Sequence, residues 1–160
     1  MTNKAALIQK IIASLDAELA LMAKSARAAH EEATHEQSRA ENKYDTRGLE
    51  ASYLAHGQSR QAAETLQARA EYEAIIPRAF GPDDGIDLCA VVELDGPGGS
   101  ALYFIGPRAG GTEIVHKKKT LLVMTPQSPL GSALLGHKQG ERLVIEVGGK
   151  RSEYRVVGVS

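Results

Sequence analysis

Ile8-Gln-Lys-Ile-Ile-Ala-Ser-Leu-Asp-Ala-Glu-Leu-Ala-Leu-Met22 places apolar side chains at Ile8, Ile12, Leu15, Leu19 and Met22, and the rhythm continues through Ala26 to Ala29. Steps of four and three residues keep these side chains on one stripe of a helix and fit no strand. Thr2 or Asn3 can cap a helix that starts near Lys4, and no Gly or Pro interrupts it before about Glu36. A second Pro-free stretch from about Tyr44 to Ile76 carries a less regular stripe at Leu49, Tyr53, Ala63, Leu66, Ala70 and Ile76, with Gly48 and Gly57 as local weaknesses. Two such helices bury their stripes most simply as an antiparallel hairpin. If it spans residues 1–78, the chain folds back near residue 40, and Glu36 to Asp45 form the tip. Each arm is then about 50 Å long at about 1.5 Å per residue.

The character of the chain changes once, near Pro77. Phe80 to Gly85 reads FGPDDG, a turn-rich linker that permits the two parts to reorient. Strand candidates follow at Ile86 to Leu94, Ala101 to Ile105, Thr120 to Met124, Leu143 to Val147 and Glu153 to Val159, separated by Gly- and Pro-rich turns. One short helix fits Ser128 to Leu135, with Pro129 in its first turn and Gly136 just past its end. The expected fold is therefore α+β: a helical hairpin over 1–78, then a small antiparallel sheet domain with one short helix over 79–160.

Composition narrows the functional classes. A net charge of -1 exerts no general pull on nucleic acid or membrane. The single cysteine, Cys89, forms no internal disulfide and is expected as a small apolar residue in a strand, compatible with a reducing cytoplasm. Lys10, Asp16 and Glu18 break the N-terminal stripe well short of a signal or membrane-spanning segment, which points to a cytoplasmic protein. His30, His35, His56, His116 and His137 have no zinc spacing with cysteine.

The run Thr125-Pro-Gln-Ser-Pro-Leu-Gly-Ser-Ala-Leu-Leu-Gly-His-Lys-Gln-Gly-Glu141 resembles the signature of the FKBP-like C-terminal domain of the bacterial Gre family of transcript cleavage factors. The continuation Leu143 to Lys150, with its Gly148-Gly149 turn, and the closing Glu153 to Val159 are also similar to that family. The order of hairpin first and FKBP-like domain second resembles it over the full length.

This resemblance implies a transcription elongation factor, not itself an enzyme, that acts as a monomer on RNA polymerase. The FKBP-like domain would dock at the rim of the secondary channel, with Gln127, Ser128, Pro129 and Leu130 in the docking loop. The hairpin would carry acidic tip residues to the active centre and stimulate cleavage of backtracked RNA, touching nascent RNA only indirectly. The factor needs no cofactor of its own. The ion concerned is Mg²⁺ at the polymerase active centre, a hard cation that carboxylate oxygens complete. Lys4, Lys10, Lys24 and Arg27 would lie where the family carries a basic patch facing RNA.

The tip departs from the family pattern. That pattern is G-D-x-S-E-N, with Asp three residues before Glu. Here Ala40-Glu41-Asn42 resembles its end, Ser38 stands three before Glu41, and no Gly-Asp precedes it. Glu41 and Asp45 fall one turn apart on a helix and are the carboxylates selected for catalysis and Mg²⁺ binding, with Glu36 next. Six acids and three bases between Glu31 and Glu50 also describe an ordinary solvated helix surface. A Gre-like regulator that binds polymerase without stimulating cleavage is therefore the alternative.

Two further readings come from other classes. An FKBP-like fold on its own suggests a prolyl isomerase, but such pockets are lined with aromatic rings, and this chain has no Trp and only two Phe, Phe80 and Phe104, with Tyr103 and Tyr154 near strands. A coiled-coil interaction module would leave the tip chemically idle. Lys117-Lys118-Lys119 reads as a solvated turn or charged sheet edge, or as a contact to polymerase or RNA.

Overall fold

The computed structural model describes residues 3–34 and 59–160. Helix α1 runs Lys4–Thr34 and helix α2 runs Ser59–Ala74. Asn3 caps α1, its Oδ1 accepting from the Ala6 amide at 3.1 Å. The α2 pattern stops three residues short of Pro77, whose ring disfavours helical backbone in the residue before it. The fold-back itself lies outside the described residues.

The chain divides into two compact units, Ala13–Ala70 and a second built from Met1–Ile12 together with Glu71–Ser160. In the first unit, α1 buries Leu15, Met22 and Ala26 and half-buries Leu19, so the stripe seen in the sequence is the buried one. On α2 the buried positions are Ala62, Thr65 and Ala68, whereas the expected Ala63, Leu66 and Ala70 are exposed, Leu66 at 52 %. The phase is set by Tyr72, four residues beyond Ala68 on the same helix face and fully buried. Small residues at 62 and 68 also leave room for a neighbouring helix. Asp16 and Arg69 tie α1 to α2, Nε to Oδ1 at 2.6 Å.

The second unit holds a six-stranded sheet: β1 Val91–Gly96, β2 Gly99–Ile105, β3 Glu113–His116, β4 Lys119–Met124, β5 Arg142–Val147 and β6 Lys150–Val159. Helix α3, Pro129–Leu134, lies between β4 and β5 in sequence. The strand order is β3-β4-β2-β1-β6-β5. Every pairing is antiparallel except β2 with β4. That parallel pair corrects the expectation of a purely antiparallel sheet, and its cause is β3. The chain leaves β2, forms β3 at the edge, and returns through the Lys117-Lys118 turn to place β4 beside β2 in the same direction. Lys117 and Lys118 have φ of 50° and 64°, as a two-residue hairpin requires at both central positions.

The core on the α3 side includes Val92, Leu94, Ile105, Leu134, Leu143 and Val156. Val91, Phe104, Leu121 and Val123, out of phase with those residues along the strands, are buried too. In the same unit Leu7, Ile8 and Ile11 at the start of α1 are buried, and Lys4 and Lys10 fasten that segment down. Lys4 Nζ donates to the carbonyls of Arg78 at 2.7 Å and Ser160 at 2.5 Å, and Lys10 Nζ to the Val115 carbonyl at 2.7 Å.

Two local expectations give way. Phe80 to Gly85 is a packed turn rather than a free linker. Phe80 is buried beneath the Lys4 ammonium and the Arg78 guanidinium, 4.4 and 4.1 Å from its ring centre, and Asp84 Oδ2 accepts from the Gly81 amide at 2.7 Å. The apolar run Ile86 to Leu94 is not one strand, since only Val91 onward pairs. Cys89 is buried in the turn before it with φ of 75°, its amide donating to the Ile105 carbonyl at 2.8 Å.

Candidate functional site

The loop between β4 and α3 is built from local hydrogen bonds. Ser128 is the N-cap of α3: its Oγ accepts from the Gly131 amide at 3.0 Å and donates to the Thr125 carbonyl at 2.9 Å. The Ser128 amide also reaches the Thr125 carbonyl, at 3.1 Å, and Pro129 supplies a preset first-turn φ where no amide hydrogen is needed. Gly131 is enforced by sterics. A Cβ there would collide with the Thr125 carbonyl oxygen and stand 2.8 Å from Ser128 Oγ. The result is a rigid loop that presents Gln127 and Pro129 to solvent, while Leu130 packs partly against the core.

Beside this loop lies a groove of about 540 Å³ lined by Glu71, Leu88, Pro107, Arg108, Thr125 and Gln127, among others. Arg108 Nε donates to Glu71 Oε2 at 2.7 Å, and the Arg108 carbonyl accepts from the Tyr72 hydroxyl at 2.5 Å. Burial pushes the Tyr72 hydroxyl well above its ordinary pKa, so it is a fixed donor. The exposed Leu88, 41 % accessible, gives the groove an apolar wall. Sequence reasoning missed this groove because Gly106-Pro-Arg-Ala-Gly110 read only as a turn. The exposed leucine in Asp87-Leu-Cys89 was its one available signal.

Of the residues selected from sequence, Gln127, Ser128, Pro129 and Leu130 come together in this loop. Glu36, Glu41 and Asp45 lie outside the described residues. Within the basic set expected to face RNA, Lys4 does not fit that role. Lys4 is only 6 % exposed and, like Lys10, serves backbone carbonyls. Lys117 and Lys118 form a solvated turn between β3 and β4. Phe80 and Phe104 are core residues at 7 % and 1 % exposure, not the walls of an open pocket. Among the described residues no group of three or more His, Cys, Asp or Glu side chains could hold a metal ion, and no helix is long and apolar enough to cross a membrane.

Residues 110–160, from the loop before β3 to the end of β6, match the family model for the C-terminal domain of the GreA/GreB transcription elongation factors. That match and the hairpin-plus-sheet architecture define the class of protein, a transcription factor of the Gre type. The transcription inhibitor protein Gfh1 of Thermus thermophilus is 32 % identical over 126 residues, 72 % of each chain. Its Thermus aquaticus counterpart is 30 % identical over 126 residues, 72 % of this chain and 71 % of its own. The crystal structure of Thermus aquaticus Gfh1 aligns with 97 % of this chain and 92 % of its own at 23 % identity and a TM-score of 0.39. The chain belongs to the Gre family of transcription factors.

Proposed function

We propose that this protein binds bacterial RNA polymerase and restrains transcription without stimulating transcript cleavage. The observation that carries the reading is the similarity, over 72 % of the chain, to proteins named transcription inhibitors. The tip sequence supports it: Ser38 stands where the Gre family pattern has Asp, so the tip has one carboxylate fewer to complete a second Mg²⁺ site. In this reading the sheet domain, residues 79–160, docks as a monomer through Gln127 to Leu130 at the rim of the secondary channel. The hairpin, residues 1–78, then occupies the channel. The bound ion remains the polymerase's own Mg²⁺, and the factor is not itself an enzyme.

A second reading, stimulation of cleavage by Glu41 and Asp45 with Glu36 in support, is favoured by one observation, the Glu41-Asn42 match to the end of the family tip motif. A single experiment separates the two. Purified protein is added to a backtracked elongation complex, and both elongation rate and release of short 3′ RNA fragments are followed. The inhibitor reading expects slowed elongation and no added fragments. Fragment release that disappears with Glu41→Ala and Asp45→Ala, at unchanged polymerase binding, establishes the second reading. Absence of any polymerase binding removes both.

A further inference from the structure

The sheet face opposite α3 opens into a cleft of about 360 Å³, within the range of about 300–1,000 Å³ for small-molecule sites. Its floor is aliphatic, made by the partly exposed Leu102 and the edges of the buried Val91 and Leu121. Among these stands Glu93, half-buried on β1 and, among the described residues, without a hydrogen-bond or ion-pair partner. Gly158 is its cross-strand neighbour on β6, where a Cβ would sit at an ordinary contact distance of 4.0 Å from Glu93 Oε2. A carboxylate partly withdrawn from water among apolar atoms costs stability unless something pairs with it.

The lip carries the opposite charge. Lys117 in the β3–β4 turn and Lys119 at the start of β4 are both exposed and both unpaired among the described residues. The left-handed backbone at Lys117 and Lys118 fixes where those side chains depart. Beside them, Lys10 Nζ lies 3.3 Å from His116 Nδ1. An ammonium only donates, so Nδ1 accepts, and the neutral ring carries its proton on Nε2, which is buried and, among the described residues, has no acceptor. The cleft thus offers an acceptor on an aliphatic floor and two cations at the lip.

We propose that this cleft binds a purine nucleotide, with guanine the base that fits it best. The flat apolar face of the base covers the aliphatic floor. Guanine presents two adjacent donors, N1–H and the 2-amino group, which pair with both oxygens of Glu93 in the geometry that makes bidentate carboxylate bonds strong. Adenine offers that carboxylate only one. The phosphate meets Lys117 and Lys119.

The test is titration of the intact protein with GMP, AMP and ribose 5-phosphate, followed by calorimetry and by NMR shifts of cleft amides. GMP is expected to saturate and to bind at least about tenfold more tightly than ribose 5-phosphate. Glu93→Gln should erase that preference while leaving ribose 5-phosphate binding unchanged, and Lys117→Gln with Lys119→Gln should weaken all three ligands. Leu102→Trp, which fills the cleft, should abolish binding at unchanged secondary structure. The proposal is overturned if GMP fails to saturate by about 5 mM, if it binds no better than ribose 5-phosphate, or if Glu93→Gln leaves its affinity intact.

Discussion

Tyr72 lies directly against Gly106, so that a Cβ on Gly106 would collide with the phenolic oxygen and stand 3.0 Å from Cζ. The contact joins the end of α2 to the loop after β2, and the Tyr72 hydroxyl donates onward to the Arg108 carbonyl at 2.5 Å. Gly106→Ala is therefore expected to destabilise the protein by about 1–3 kcal/mol, as overpacking does. Tyr72→Phe keeps the ring and loses the donor, at a cost of about 1 kcal/mol. Urea midpoints check both. If Gly106→Ala matches wild type, the close approach is not what holds this end of α2.

Lys4 supplies a pH dependence with a definite sign. Burial lowers its pKa from 10.5 to about 8, against an opposing contribution from Cys89. Between those values the unfolded chain binds more protons than the folded one, so the contribution of Lys4 to stability rises with pH across that window. Below about 8 the desolvation of the ammonium is a full cost. The urea midpoint of wild type minus that of Lys4→Met should accordingly increase between about pH 7 and about pH 10. A flat difference would show that the two carbonyls and the Phe80 ring hold the ammonium as well as water does.

The loop before α3 permits docking to be separated from folding. Ser128→Ala removes the N-cap and should cost about 1 kcal/mol. Gly131→Ala should cost more, because its Cβ has Thr125 and Ser128 in the way. Gln127 is exposed, and Gln127→Ala should change stability by no more than about 0.5 kcal/mol. Under the proposed function, Gln127→Ala nevertheless weakens polymerase binding in a competition assay. Unchanged binding by Gln127→Ala would move the docking surface elsewhere.

What the sequence disclosed follows from how strongly each segment constrains itself. α1 was legible because its stripe, its Asn3 cap and its freedom from Gly and Pro agree. The α3 cap was legible because Ser128-Pro129 and Gly136 bracket a short apolar helix. α2 was misread by one residue, since its buried face is made of Ala62, Thr65 and Ala68 while Leu66 faces solvent. Hydrophobicity alone ranks those positions the other way, and only the tertiary burial of Tyr72 sets the phase. β3 was missed because four residues, Glu113 to His116, end in charge or imidazole and follow a glycine-rich turn. Cys89 was misplaced because an apolar run does not announce a left-handed turn inside it. Of the candidate site, the docking loop carried its signal in local capping chemistry. The 540 Å³ groove beside it did not, because it is assembled from α2, the β1 approach and the β2–β3 loop.

The tip can be tested by addition as well as by removal. The Gre family pattern places Asp three residues before Glu, with Gly ahead of the Asp, whereas this chain has Gln37 and Ser38 before Glu41. A hard divalent ion gains from each carboxylate added to its ligand set, and the polymerase already supplies the remainder of the Mg²⁺ site. Under the inhibitor reading, Gln37→Gly with Ser38→Asp should convert a factor that releases no RNA fragments into one that does, at unchanged affinity for the backtracked complex. Glu41→Ala in that background should remove the gained activity, which would show that the new carboxylate works together with the resident one. If the double variant still releases nothing while binding normally, the missing acid is not what separates this protein from a cleavage factor. The difference would then lie in how the hairpin enters the channel.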